Sequence, residues 1–172
     1  LSCTAQGVHA IRDQLANDIF KIPVEKIQVS APDVGGGFGL KNFLFPEWVL
    51  LLWASRKLER PIKWVAERSE DNSSALHGRD VTTHARLALD TDGKFLALEA
   101  DLTANMGAYL SAGGPNASTN AASTAMGGVY NLPLIFMRSK GVFTNTTPVD
   151  AYRGAGKPEA NFIIERLIDA AA

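Results

Sequence analysis

One cysteine, Cys3, stands in a chain of 172 residues, so no disulfide can form within it. No basic and then apolar leader opens the chain, and a protein of the reducing cytoplasm is expected. Charge of one sign is missing as well: 17 Lys and Arg oppose 18 Asp and Glu, a formal net charge of −1. Without a basic excess there is no electrostatic footprint of a nucleic-acid or anionic-membrane binder, and neither partner is expected. Long apolar runs are absent too. The longest, Trp48 to Ala54, is bounded by Glu47 and Ser55 and falls far short of the roughly 20 residues that span a bilayer. His9, His77 and His84 have no ligand-like grouping, so no metal held directly by side chains is expected.

The common catalytic fingerprints are also missing. A G-x-G-x-x-G beginning at Gly35 would need glycine at Leu40, and one beginning at Gly37 would need it at Asn42. Gly93-Lys94 and Gly156-Lys157 are followed by Phe95 and Pro158, not by the hydroxyl of a P-loop. Neither G-x-S-x-G nor H-E-x-x-H occurs, which removes the serine hydrolase and zincin readings. No residue is assigned a catalytic role.

What is present is an ordinary globular composition, 46% hydrophobic and 20% charged, read as a single domain over residues 1–172. Val8, Ile11, Leu15 and Ile19 recur at helical spacing. Lys26 to Ser30 and Pro61 to Ala66 alternate as short strands, and Pro46 to Leu58, apolar on nearly every side, is expected to be a buried helix. Ser69 to Leu76 reads as a short polar helix or loop. Val81 to Leu89 and Lys94 to Asn105 alternate around the turn Asp90-Thr91-Asp92-Gly93, a long β-hairpin. Leu134 to Phe143 is β-like, and Pro158 to Ala172 is a helix with Phe162, Ile163, Leu167 and Ile168 as its apolar contacts. This order of elements predicts an α+β fold with mixed sheets and packed helices.

Two glycine-rich stretches carry the chemistry. Gly35-Gly36-Gly37-Phe38-Gly39 lets the backbone take left-handed conformations or meet a neighbour closely, and successive amides there would suit an anion. A tight turn packed on a sheet is the alternative, and spacing alone does not choose between them. The second stretch, Asp150 to Glu159, adds Arg153 to Gly154 and Gly156 ahead of a helix. Its guanidinium can fork onto an oxyanion or pair with a surface acid. Two such loops suggest one polyanionic ligand gripped from two sides.

With Asp33-Val34-Gly35-Gly36-Gly37-Phe38-Gly39 and Lys41, Arg60-Pro61-Ile62-Lys63-Trp64, and Ala151-Tyr152-Arg153-Gly154-Ala155-Gly156-Lys157-Pro158-Glu159-Ala160, the chain resembles the molybdopterin-binding large subunit of the xanthine dehydrogenase and aldehyde oxidase family. The nearest branch is that of aerobic carbon monoxide dehydrogenase large subunits, and Thr4 to His9 with Arg12 and Leu15 fits the same pattern. The resemblance implies a molybdenum–pterin cofactor, as molybdopterin or its cytosine dinucleotide, with FAD and 2Fe-2S on partner subunits. Gln6 matches the glutamine that meets the molybdenum's oxo ligand; Gly36, Gly37, Phe38 and Gly39 match the first cofactor loop, and Arg153 and Gly154 the second. The implied chemistry is oxidative hydroxylation of an electron-poor carbon, with electrons leaving through iron–sulfur and flavin partners.

Departures narrow the substrate. Asn42 replaces the glutamate of purine oxidisers, Ala155 replaces their stacking phenylalanine, and no arginine lies between Ala112 and Asn131, which argues against purines. Gly154 stands where carbon monoxide oxidisers carry a cysteine, which argues against carbon monoxide. A small aldehyde or heteroaromatic ring remains. The chain opens at Leu1 and closes on Ala170-Ala171-Ala172 without a helix-ending glycine, so an internal fragment of a larger cofactor-binding domain is expected. The family's catalytic glutamate belongs to the missing C-terminal part of the large subunit, and the piece alone is expected to be silent. The other reading is a folding or homo-oligomerising module.

Overall fold

The computed structural model describes residues 1–172, which divide into two compact units, Leu1–Ala75 and Leu76–Ala172. Each has its own apolar core.

In the first unit, α1 (Val8–Gln14) runs on as a wider π-helical segment, Leu15–Phe20, before Lys21 turns left-handed at φ 52° and ends it. Ile11, Leu15 and Ala16 are fully buried, and Ala5, Ile27 and Trp48 complete the cluster. The expected strand over Lys26 to Ser30 does not form a ladder. Val24–Lys26 take a 3-10 turn, and the extended residues beyond are held beside the N-terminal segment by a parallel bridge, Cys3 N–H donating to the Ser30 carbonyl at 3.0 Å and Ser30 N–H to that of Leu1 at 2.9 Å. Pro61 to Ala66 form no strand either: alternation gives a segment a strand's pattern, but a strand needs a neighbour, and Trp64 and Val65 stay exposed.

α2 (Pro46–Leu58) begins with proline in its first turn and stops where Glu59 turns left-handed. Its expected burial is corrected. Trp48 is buried, its ring 4.9 Å from that of Phe45, and Val49 and Leu52 are partly covered, whereas Leu50, Trp53 and Leu58 face outward. A helix touching the core along one stripe leaves its other apolar residues uncovered, whatever their hydropathy. α3 (Arg68–Ser74) is closed by a capping box between Glu67 and Glu70.

The second unit is built on the expected hairpin. β1 (Val81–Leu89) pairs antiparallel with β2 (Phe95–Gly107), Val81 opposite Ala104 and Leu87 opposite Leu98. Asp90 shapes the turn: its Oδ1 accepts from the amides of Asp92 at 3.0 Å and Lys94 at 2.8 Å. The third strand, β3 (Ile135–Phe143), lies parallel on the other edge of β2, giving a mixed sheet in the order β1-β2-β3. Leu98, Ala100 and Leu102, alternate residues of β2, are buried with Ala122, Met126 and the Ala160, Ile163 and Ile164 stripe of α5 (Lys157–Ala171). A four-residue helix, α4 (Gly114–Ala117), and a 3-10 segment, Asn120–Ala125, occupy the Gly- and Ala-rich stretch. In α5 the apolar contacts are Ile163, Ile164, Leu167 and Ile168, while Phe162, expected inside, is 67% exposed because it precedes the buried stripe by one position. The architecture is α+β with a mixed sheet, and no helix is long and apolar enough to cross a membrane.

Candidate functional site

The first glycine loop is built around a glutamine and a lysine. Gln6 precedes α1, its amide donating to the Lys41 carbonyl at 2.9 Å, and its side-chain Oε1 accepts the Gly39 amide at 2.7 Å. Because a backbone N–H can only donate, the oxygen of the Gln6 amide faces Gly39 and its NH2 is left to donate elsewhere. Gly37 makes this packing possible: a Cβ there would overlap Gln6 Cγ and Cδ. Lys41 closes the loop from its far side, its Nζ donating to the Val34 carbonyl at 2.8 Å and its amide to that of Gly37 at 3.2 Å. Within this turn Gly35, Gly36, Phe38 and Gly39 all have positive φ. The amides of Gly35, Gly36 and Gly37 donate to no backbone carbonyl. The Phe38 ring lies over Gly36 and is half exposed.

Beside this loop a cavity of about 330 Å3 is lined by Cys3, Lys41, Trp48 and Trp64 among others. Burial pushes the Cys3 thiol above its usual range, with the nearby N-terminal ammonium opposing weakly. A half-buried thiol whose pKa is raised is a poorer nucleophile than a free one.

The second loop hangs from Asp150, which is 3% exposed. Its carboxylate accepts the Gly113 amide at 2.9 Å and that of Ala151, so both oxygens are used in holding the loop's start. The loop then turns through Gly154 at φ 100°, Ala155 at φ 35° and Gly156 at φ 81° into α5. Gly154 admits no side chain in this conformation, since a Cβ would also stand 2.7 Å from Pro158 Cγ. Arg153 is exposed. The amides of Ala155 and Lys157 close the turn onto the carbonyls of Tyr152 and Gly154, at 3.0 and 3.3 Å.

Arg79, which carries no motif and so escapes a reading by spacing, grips this loop. Its Nη1 and Nη2 donate to the carbonyls of Tyr152 and Arg153, each at 2.9 Å, its guanidinium lies 5.3 Å from the Tyr152 ring centroid, and Glu159 is 3.5 Å away. Nothing in the sequence marks it: it stands two residues before β1, with Asp80 between. Gln6, Gly36, Gly37, Phe38 and Gly39 thus share one turn of the first unit, and Arg153 and Gly154 one turn of the second. His9, His77 and His84 are exposed, and no three His, Cys, Asp or Glu side chains gather as metal ligands.

A family model, the molybdopterin cofactor-binding domain, matches residues 1–172. The chain belongs to this family. As a molybdopterin cofactor-binding domain it is 37% identical to the 6-hydroxypseudooxynicotine dehydrogenase complex subunit gamma of Paenarthrobacter nicotinovorans, over 95% of this chain and 20% of that protein. It is 35% identical to the carbon monoxide dehydrogenase large chain of Hydrogenophaga pseudoflava, over 98% of this chain and 21% of that one. Among solved structures, quinoline 2-oxidoreductase from Pseudomonas putida 86 superposes with a TM-score of 0.93 at 37% identity, covering 99% of this chain and 22% of its own. The cofactor-binding domain described here therefore spans about a fifth of the length of these relatives.

The residues present fit such a cofactor. Three successive glycine amides left without backbone partners and a glutamine whose NH2 is not used by the turn suit oxygen-rich, anionic groups, as does an exposed arginine on a glycine turn.

Proposed function

We propose that this chain is the cofactor-holding part of a molybdenum hydroxylase large subunit, and that Gln6, Gly36, Gly37, Phe38 and Gly39 in the first unit, and Arg153 and Gly154 in the second, are residues that contact the molybdenum–pterin cofactor. The observation that carries the proposal is the Gln6 Oε1 to Gly39 amide bond at 2.7 Å. It fixes which end of the side chain donates, so the NH2 is presented to a ligand oxygen without a reorientation cost on binding. Gly36 and Gly37 supply main-chain donors, and Arg153 a delocalised charge for a phosphate or pyrophosphate. When bound, the cofactor supplies the two-electron oxidising centre for hydroxylating an electron-poor carbon.

In its full-length parent the domain works with the rest of the large subunit and with iron–sulfur and flavin subunits in the cytoplasm. The substrate class is a nitrogen heteroaromatic ahead of a small aldehyde. Quinoline and 6-hydroxypseudooxynicotine stand in the names of two relatives, and the side-chain-free turn at Gly154 leaves no place for a loop cysteine. The 172-residue chain by itself is proposed to be catalytically silent.

The test is to purify the full-length protein with its partner subunits, measure molybdenum and pterin content, and assay quinoline, an aldehyde and carbon monoxide. Stoichiometric pterin with heteroaromatic hydroxylation is expected. Absence of pterin would overturn the reading, and carbon monoxide oxidation would overturn the substrate class.

A second reading, a self-associating module, is favoured by one observation. Leu50, Trp53, Val129, Phe143 and Phe162 are each more than half exposed, apolar side chains that a second copy could cover.

A further inference from the structure

The loop that carries Arg153 is held by Arg79, a residue that belongs to no sequence motif. We propose that Arg79 is a positioning residue for this loop: by taking the Tyr152 and Arg153 carbonyls it fixes the two peptide planes and aims the Gly154 amide away from itself, as a donor for an anionic group of the cofactor. This rests on the function proposed above.

Peptide geometry sets where the amides point. No peptide bond in the chain is cis, and in a trans peptide the N–H points opposite to the C=O. With the Arg153 carbonyl 2.9 Å from Nη2, the Gly154 amide must point away from the guanidinium. The Tyr152 carbonyl, 2.9 Å from Nη1, fixes the preceding peptide plane in the same way. The Gly154 amide donates to no backbone carbonyl. A guanidinium suits this task because its two terminal nitrogens are coplanar and rigid, whereas a lysine ammonium would have to satisfy both carbonyls from one point. Glu159, 3.5 Å from Nη1, pairs with the same guanidinium and helps hold it under the loop.

Two further observations concern the backbone that carries this side chain. Arg79 and the next residue, Asp80, both have positive φ, 73° and 61°, a conformation disfavoured for residues without glycine's freedom. It is held in place from the sheet: the Asn105 amide donates to the Asp80 carbonyl at 3.0 Å and Asn105 Nδ2 to Asp80 Oδ2 at 2.6 Å. Asn105 is itself buried, with its Oδ1 accepting from the Gly107 amide and the Thr144 hydroxyl. The β1–β2 ladder is regular from Val81 to Ala88, so the two positive-φ residues lie just ahead of it and are tied to it through Asn105 of β2.

The test uses the full-length protein with its partner subunits, as wild type, Arg79→Lys and Arg79→Ala. Three quantities are read: pterin retained after gel filtration, hydrogen exchange of residues 152–156 against that of β1 and β2, and recovery of pterin by millimolar guanidinium. For R79A the expectation is about tenfold less retained pterin, faster exchange confined to the loop, and partial recovery with guanidinium. R79K is expected to fall between, since it keeps the charge and loses the fork. Full retention in R79A with unchanged loop exchange would overturn the proposal, as would loss of protection across the whole sheet in both variants, which would make Arg79 a folding residue only. A wild-type protein without pterin would sink the proposed function instead, while the loop-exchange comparison would still judge the clamp.

Discussion

Single side chains decide whether either glycine loop can exist. Gly37 is the sharpest case, because the space beyond its Cα is already filled by the Gln6 side chain. In Gly37→Ala, Gln6 is expected to be displaced and its bond to Gly39 lost, destabilising the first unit by about 1–3 kcal/mol. Melting of the variant, together with a drop in pterin retained by the full-length protein, checks this. The glycines of this loop were legible from sequence because a run so dense has few uses. The partner that fills the space was named only through family resemblance, since Gln6 and Gly37 lie far apart along the chain. Arg79 was not legible at all. Its job is to meet two main-chain carbonyls, and carbonyls leave no trace in side-chain order.

Among the elements, the hairpin was readable because alternation on two arms and an Asp–Gly turn are local signals that a neighbouring strand satisfies at once. Lys26 to Ser30 and Pro61 to Ala66 show the limit. The same alternation with no ladder partner leaves extended chain, and pairing is decided by distant residues. Helix existence was equally plain, but which face is covered was not: α2 buries Trp48 and exposes Leu50, and α5 buries Ile164 and exposes Phe162. The buried stripe of α5 gives a direct test. Ile164, fully buried with Leu98 and Met126, is expected to cost about 2–5 kcal/mol when cut to alanine, whereas Phe162→Ala should change stability little; chemical denaturation compares them. A second test concerns the helix surface. The Tyr130 hydroxyl donates to Glu165 at 2.9–3.0 Å, and this carboxylate, accepting the phenolic proton, raises the Tyr130 pKa above its usual value. The bond is made by the protonated phenol, so its contribution is complete below the ordinary tyrosine range and is lost as pH rises through the elevated pKa. In Glu165→Ala, tyrosinate absorbance is expected to develop at lower pH than in wild type.

For the molecule as a whole, the near-neutral charge and the exposed apolar residues set its solution behaviour. With a formal charge of −1 there is little self-repulsion, and Trp53, Val129 and Phe162 are open to solvent. The 172-residue chain is therefore expected to self-associate as its concentration rises, and paired Trp53→Glu and Phe162→Glu changes are expected to shift it toward monomer. Sedimentation velocity over a concentration series reads both, and a strictly monomeric wild type would count against the association. The mixed sheet carries a consequence for how the chain comes off the ribosome. β1 and β2 are joined by a tight turn and can zip as soon as both have emerged, but β3 pairs with β2 only after residues 108–134 have also been made. At about 5–20 residues per second, a nascent hairpin waits on the order of a second or more with one edge of β2 unpaired, which makes this interval the natural window for a chaperone that recognises open strand edges.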